Sequence, residues 1–176
     1  MNDAPAELSA RHEAQLAIMA AALGHAGRET RLLETDEENP VATLLVALGA
    51  DEQERDRTLA MTLLPFGDGS LAATDLLQFY VQLPFELTAS TRTDAMAATA
   101  DVNAAMAIGH FEVRRCEVCY RYVLANSNNG TVDAGLLVEL VDLVEFHQEH
   151  FGDYLEGVAT GAIAVQVLAE VIAQSE

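Results

Sequence analysis

Four side chains in this chain have the types and spacing that chemistry could use. Cys116 and Cys119, the only two cysteines, stand as C-x-x-C within RRCEVC, and His147 and His150 stand as H-x-x-H within FHQEH. Thiolates and imidazoles are the ligands of a tetrahedral zinc site, and a pair of thiols is also the minimum of a redox dithiol. Spacing limits both ideas. On a continuous strand Cys116 and Cys119 point to opposite faces, whereas a hairpin turn at Arg115 to Glu117 lets the thiols converge. On a helix His147 and His150 lie on one side, three residues apart, which permits joint ligation. The long interval between the two pairs departs from the usual zinc signature, and a redox C-x-x-C favours a helix N-terminus rather than a hairpin. A buried neutral imidazole is satisfied by one or two hydrogen bonds. Three outcomes stay open: structural zinc, a redox dithiol, or packed cysteines beside a structural His147.

No other motif carries recognisable chemistry. The chain has no glycine-rich phosphate loop, no H-E-x-x-H and no G-x-S-x-G. Its carboxylates are spread over loops and one helix face, so choosing two as an acid/base pair is arbitrary. The residues therefore assign no catalytic group, no cofactor and no metal, and we read the chain as a non-enzyme. All nine basic residues are arginine, against 28 acidic residues, and the formal net charge is −19. Such a surface repels phosphate backbones and anionic lipid heads, so neither nucleic acid nor a membrane is expected as partner. A basic or apolar protein segment fits the charge, and so does adaptation to a salt-rich cytoplasm.

At 176 residues, 51% of them hydrophobic, the chain is expected to form one domain, 1–176, with a sizeable core. MNDAPAELSARHE lacks the charged and apolar regions of a secretory signal. GVATGAIAVQVLAEVIA falls short of the roughly 20 apolar residues of a membrane span. A cytoplasmic location follows as the expectation.

The elements that must position the four side chains read as follows. An Ala-rich helix spans about 6–24, with Leu8, Leu16, Met19, Ala20 and Leu23 near helical spacing, and Gly24 and Gly27 end it. RLLET, ATLLVALG and RTLAMTLLPF read as three antiparallel strands separated by acidic loops. DLLQFYVQLPFEL alternates as a half-buried strand that Pro84 closes. TDAMAATADVNAAMAIG reads as a helix capped by Thr93 or Asp94 and ending near Gly109. HFEVRRCEVCYRYVL reads as a tight hairpin, Asp133 caps a long helix from Ala134 to about Gly157, and a last helix spans about 162–173.

On the long helix Leu137, Leu140, Val144, Phe151 and Leu155 share one face, and Glu139, Asp142, Glu145, Glu149, Asp153 and Glu156 share another. The acidic stripe reads either as a solvated face or as a docking surface for a basic partner. Val138, Val141, Leu143 and Phe146 lie outside the central apolar stripe, a surplus that suits a dimer interface or cover by the terminal helices.

From about Asp75 to Gly161 the chain resembles the YbjN family of bacterial sensory transduction regulators, whose domain is similar in fold to type III secretion chaperones. Asn103 in its helix, the entry from Gly109 to Phe111 into a strand, the Tyr120-Arg121 pair and the long helix after it carry the resemblance. It implies an α+β class with a curved antiparallel sheet and helices packed on it, over a core of about 28–160. It also implies a cytoplasmic homodimer that holds client proteins without catalysis. The RRCE turn departs from the polar turn expected there. The expected function is thus a chaperone-like protein-binding or regulatory module. A zinc- or thiol-dependent protein using Cys116, Cys119, His147 and His150 is one alternative, and a small-molecule sensor domain is another.

Overall fold

The structure, a computed structural model, describes residues 4–37, 39–65, 73–128 and 130–165. The described elements are α1 (Ala4–His25), β1 (Thr30–Leu33), β2 (Thr43–Ala50), β3 (Asp56–Leu63), β4 (Thr74–Glu86), α2 (Arg92–Ala105), β5 (His110–Arg114), β6 (Glu117–Ser127) and α3 (Ala134–Thr160). Six strands form one open antiparallel sheet in the order β1-β2-β3-β4-β6-β5, so with its helices the chain is α+β. The expected helix at 162–173 lies almost wholly outside the described residues. Among the described residues no helix is long and apolar enough to cross a membrane.

The chain forms two compact units. The first comprises Met1–Leu48, Thr58–Phe79 and Val123–Asp142, and the second Gly49–Arg57, Tyr80–Tyr122 and Leu143–Glu176.

In the first unit, α1 packs on β1 and buries Leu16, Met19 and Leu23. Its end is a glycine device: Gly27 takes φ +83°, and the Arg28 amide reaches back to the Leu23 carbonyl at 3.0 Å. β2 alternates, burying Leu44, Val46 and Leu48, as a sheet with one packed face requires. α1 also carries polar residues to buried Asp75 on β4. Arg11 Nη2 donates to its Oδ1 at 2.6 Å, Gln15 Nε2 donates to its Oδ2 at 3.3 Å, and His12 Nε2 lies 3.8 Å from Oδ1. In α3, Asp133 Oδ1 accepts from the Leu136 amide at 2.9 Å, the N-cap expected from the sequence.

The second unit holds the three places where the chain departs from expectation. β4 does not close at Pro84 but runs on to Glu86. Proline lacks the donor but keeps its carbonyl, which here accepts from Arg55 Nη1 at 3.0 Å. α2 begins at Arg92 behind Thr91, not at Thr93 or Asp94, because the hydroxyls of Thr88 and Thr91 bond each other at 3.0 Å and turn the chain earlier. The same helix stops at Ala105, short of Gly109. α3 continues past Gly157 to Thr160, where Gly161 at φ +78° ends it. Gly157 stays helical because Ile163 folds back over it: a Cβ there would lie 2.7 Å from Ile163 Cγ1, and the Ile163 amide donates to the Gly157 carbonyl at 2.9 Å.

Candidate functional site

The hairpin at the two cysteines exists. β5 and β6 pair through Val113↔Val118 and Arg114↔Glu117, leaving Arg115 and Cys116 as the turn. Arg115 adopts φ 51°, and its carbonyl accepts from Arg92 Nη1, while the Cys116 carbonyl accepts from the Leu87 amide at 2.7 Å. These bonds hold a left-handed arginine at a place where glycine or asparagine is the usual choice.

The thiols do not meet as a pair. Cys116 is exposed at the turn, Cys119 is buried on β6 opposite Glu112, and both are free. Cys119 Sγ lies 3.7 Å from both the carbonyl and Oε1 of Glu112. Burial pushes its pKa up, away from the thiolate that a reactive cysteine needs. The adjacent Tyr80 is likewise pushed up to about 12, chiefly by burial and then by its hydrogen bond with Cys119.

The two histidines also separate. His147 is buried, packed against Tyr120 with ring centroids 5.7 Å apart, and its Nδ1 has no hydrogen-bond partner. Burial lowers its pKa, with a further lowering from His150. His150 is exposed and stacks on Phe146, centroids 5.4 Å apart and planes 12° apart, with its edge on Phe151 at 4.7 Å. Among the described residues no group of three or more His, Cys, Asp and Glu side chains is arranged to hold a metal ion. The zinc alternative therefore lacks an assembled ligand set.

The residues that carried the family resemblance interlock instead. Asn103 Nδ2 donates to the Phe111 carbonyl at 2.9 Å, and the Phe111 amide donates to Asn103 Oδ1 at 2.7 Å. The Phe111 and Tyr120 rings meet edge to face at 5.4 Å. Gly109, at φ +69°, has no Cβ because the buried Tyr120 ring occupies that space; a Cβ would lie 2.8 Å from Tyr120 Cε2. These four residues build the fold: Phe111 and Tyr120 are buried, and the Asn103 side chain is spent on Phe111.

α3 carries an exposed aromatic ring. Phe146 is 53% exposed, beside half-buried Glu145, with exposed Glu149 within one turn of it and exposed Asp153 two turns along the helix. An aromatic ring in that setting has no fold-building task on its outer face. The apolar surplus read from the sequence thus divides: Val141 is buried, Val138 and Leu143 are half-buried, and Phe146 stands out.

The acidic stripe is partly consumed by arginines. Arg28 Nη2 binds Asp142 Oδ1 at 2.6 Å, Arg57 Nη2 lies 3.5 Å from Glu149 Oε1, and Arg55 binds Glu156. Arg55 is fully engaged. It donates to Asp51 Oδ2 (2.7 Å), the Pro84 carbonyl (3.0 Å), Gln53 Oε1 (2.9 Å), Glu156 Oε1 (2.9 Å) and Glu156 Oε2 (2.5 Å). That accounts for the five donors of a guanidinium. These contacts raise its pKa further, the hydrogen bond to Glu156 contributing most.

Around this clasp the second unit forms a half-open cavity of about 400 Å³, walled by the β2–β3 loop, the end of β4 and one side of α3. No protein-family model matches the chain, and no curated protein matches it. The chemistry on offer is recognition: an exposed aromatic ring among carboxylates, a lined cavity, and no assembled nucleophile or metal ligand set among the described residues.

Proposed function

We propose that the chain is a non-enzymatic protein-binding module of the cytoplasm, chaperone-like in the sense implied by its resemblance to the YbjN family. Its binding face is the outer side of α3 around Phe146, and its partner is a basic protein segment carrying an apolar or aromatic residue. The observation that carries the reading is the 53% exposure of Phe146 with His150 stacked on it. Exposed aromatic rings anchor interfaces because they remove a large apolar area from water at small entropic cost. Charge selects the occupant. Glu149 lies within one turn of the ring along α3 and Asp153 two turns away, so a basic segment is drawn in and an acidic one repelled. For the same reason a second copy of this acidic face is a poor match for it.

The test is an array of short peptides varying independently in net charge and aromatic content. The wild-type protein is expected to retain basic peptides with an aromatic or leucine residue, and Phe146→Ser with His150→Ala to lose them at an unchanged melting temperature. Retention that ignores peptide charge, or that survives the double substitution, refutes the reading.

A further inference from the structure

The cavity in the second unit carries an inference that does not depend on Phe146. Leu83 and Phe85 are buried beneath it and Pro84 and Gly152 complete an apolar floor, giving room for an aliphatic chain within the size range of small-ligand sites. Its charged lining comprises five carboxylates, Asp51, Glu52, Glu149, Asp153 and Glu156, against Arg55 and Arg57. Arg55 has all its donors committed to Asp51, Gln53, Pro84 and Glu156, which removes those two carboxylates from the balance as well. Arg57 Nε lies 3.4 Å from the Gly49 carbonyl and its Nη2 3.3 Å from that of Ala50, with Glu149 at 3.5 Å. Glu149 and Asp153 stay exposed, one helical turn apart, and give the rim a negative field.

A second observation is independent of the charges. Gln148 lines the same cavity, is 3% exposed, and its Nε2 has no hydrogen-bond partner. A buried amide end left unmade costs about 1–3 kcal/mol, so a site that shelters one is asking for an acceptor. An anion is excluded by the rim, and a bare hydrocarbon satisfies neither the rim nor the amide.

We infer that this cavity binds an alkylammonium group joined by an aliphatic chain to a carbonyl acceptor, the combination that a lysine residue presents. The ammonium sits between Glu149 and Asp153, the chain lies over Leu83 and Phe85, and the carbonyl accepts from Gln148 Nε2. The same group can arrive as a free amine-bearing metabolite or as a lysine of a partner protein.

The experiment is a nitrogen–proton NMR titration of the full chain with Nα-acetyl-lysine methylamide, following the Gly152 amide and the Gln148 side-chain amide. Saturable shifts at both are expected in the millimolar range. The norleucine analogue, which lacks the charge, is expected to give none, and 1,4-diaminobutane, which lacks the acceptor, to bind about fivefold more weakly. Asp153→Asn with Glu149→Gln, both at exposed positions, is expected to abolish the lysine response. Gln148→Leu is expected to bring the lysine derivative down to the level of the diamine. Phe146→Ser is expected to leave the response intact, which separates this site from the peptide face on α3. With Phe146→Ser in place to silence the peptide face, a lysine-containing peptide binding tighter than the free derivative assigns the ammonium to a protein partner, equal affinity assigns it to a small molecule, and both uphold the site. No saturable shift, an equal response to norleucine, or binding indifferent to the carboxamide pair overturns it.

Discussion

Substituting Asn103 tests how the outer strand of the sheet is finished. β5 is the terminal strand, and within an antiparallel strand the N–H and C=O of one residue point to the same side. Phe111 turns both groups toward Asn103, whose side-chain amide answers them at 2.7 and 2.9 Å as the backbone of a further strand would. Asn103→Ala removes both bonds from a residue that is 1% exposed, at about 1 kcal/mol for each net bond and more for any group left without water. The sum is about 2–4 kcal/mol, and in a chain of this length each kcal/mol lowers the melting temperature by about 2–4 °C.

Asn103→Asp is the sharper test. It keeps the acceptor for the Phe111 amide but sets a carboxylate oxygen against the Phe111 carbonyl, which favours the protonated form and raises the folded-state pKa above the unfolded value of about 3.9. A raised pKa contributes stability that is present below the unfolded value and lost as pH rises through the folded value. This variant is therefore expected to approach wild-type stability near pH 4 and to trail it by about 2 kcal/mol near neutrality, while the Asn103→Ala deficit stays constant with pH. Denaturant titrations of the three proteins at both pH values decide it. An equal Asn103→Asp deficit at the two pH values, or an Asn103→Ala variant as stable as wild type, refutes the strand-mimic argument.

Two further outcomes follow from the buried and clasped groups. His147 has its pKa lowered by burial, so its contribution is present above the ordinary histidine value of about 6.5 and is lost as pH falls below it. Relative to His147→Gln, the wild type is expected to lose up to about 1.4 kcal/mol per pH unit below that value, and a difference that is flat with pH contradicts the burial argument. Arg55→Lys keeps the charge but cannot reproduce five fixed donors, and it is expected to cost about 1 kcal/mol in a melting or denaturant assay, Arg55 being partly exposed. A neutral result shows that the clasp is a surface ion pair of no consequence.

What could be read before the structure was what short-range rules control. The strands around Leu44, Leu59 and Phe79, the Asp133 cap and the hairpin at RRCE each follow from alternation, cap chemistry or turn placement within a few residues. The errors share another origin. Pro84 stays in its strand because its carbonyl serves a distant arginine, α2 stops early where Asn103 is drawn to Phe111, and Gly157 stays helical beneath Ile163. Each is a tertiary contact overriding a local signal. The candidate site divides in the same way. Phe146 was already visible as an apolar residue off the stripe. The cavity was not, because Arg55 read as part of an acidic loop, Arg57 as the start of a strand and Gln148 as an ordinary polar residue of α3. Cys116, Cys119, His147 and His150 drew attention by type, and their placement sends one of each pair inward and one outward.

That inward and outward division turns the cysteines into a built-in clock. Cys116 reacts with a thiol reagent at once, whereas Cys119, with no exposed surface, is reached only when the strand around it opens. The first equivalent of label marks the hairpin tip without any engineered residue. The second label enters at the intrinsic thiol rate multiplied by the fraction of time that region spends open. A bound partner or ligand that steadies the second unit lengthens the wait for the second label by the factor by which it lowers the open fraction, so the chain reports its own occupancy through a count of two thiols.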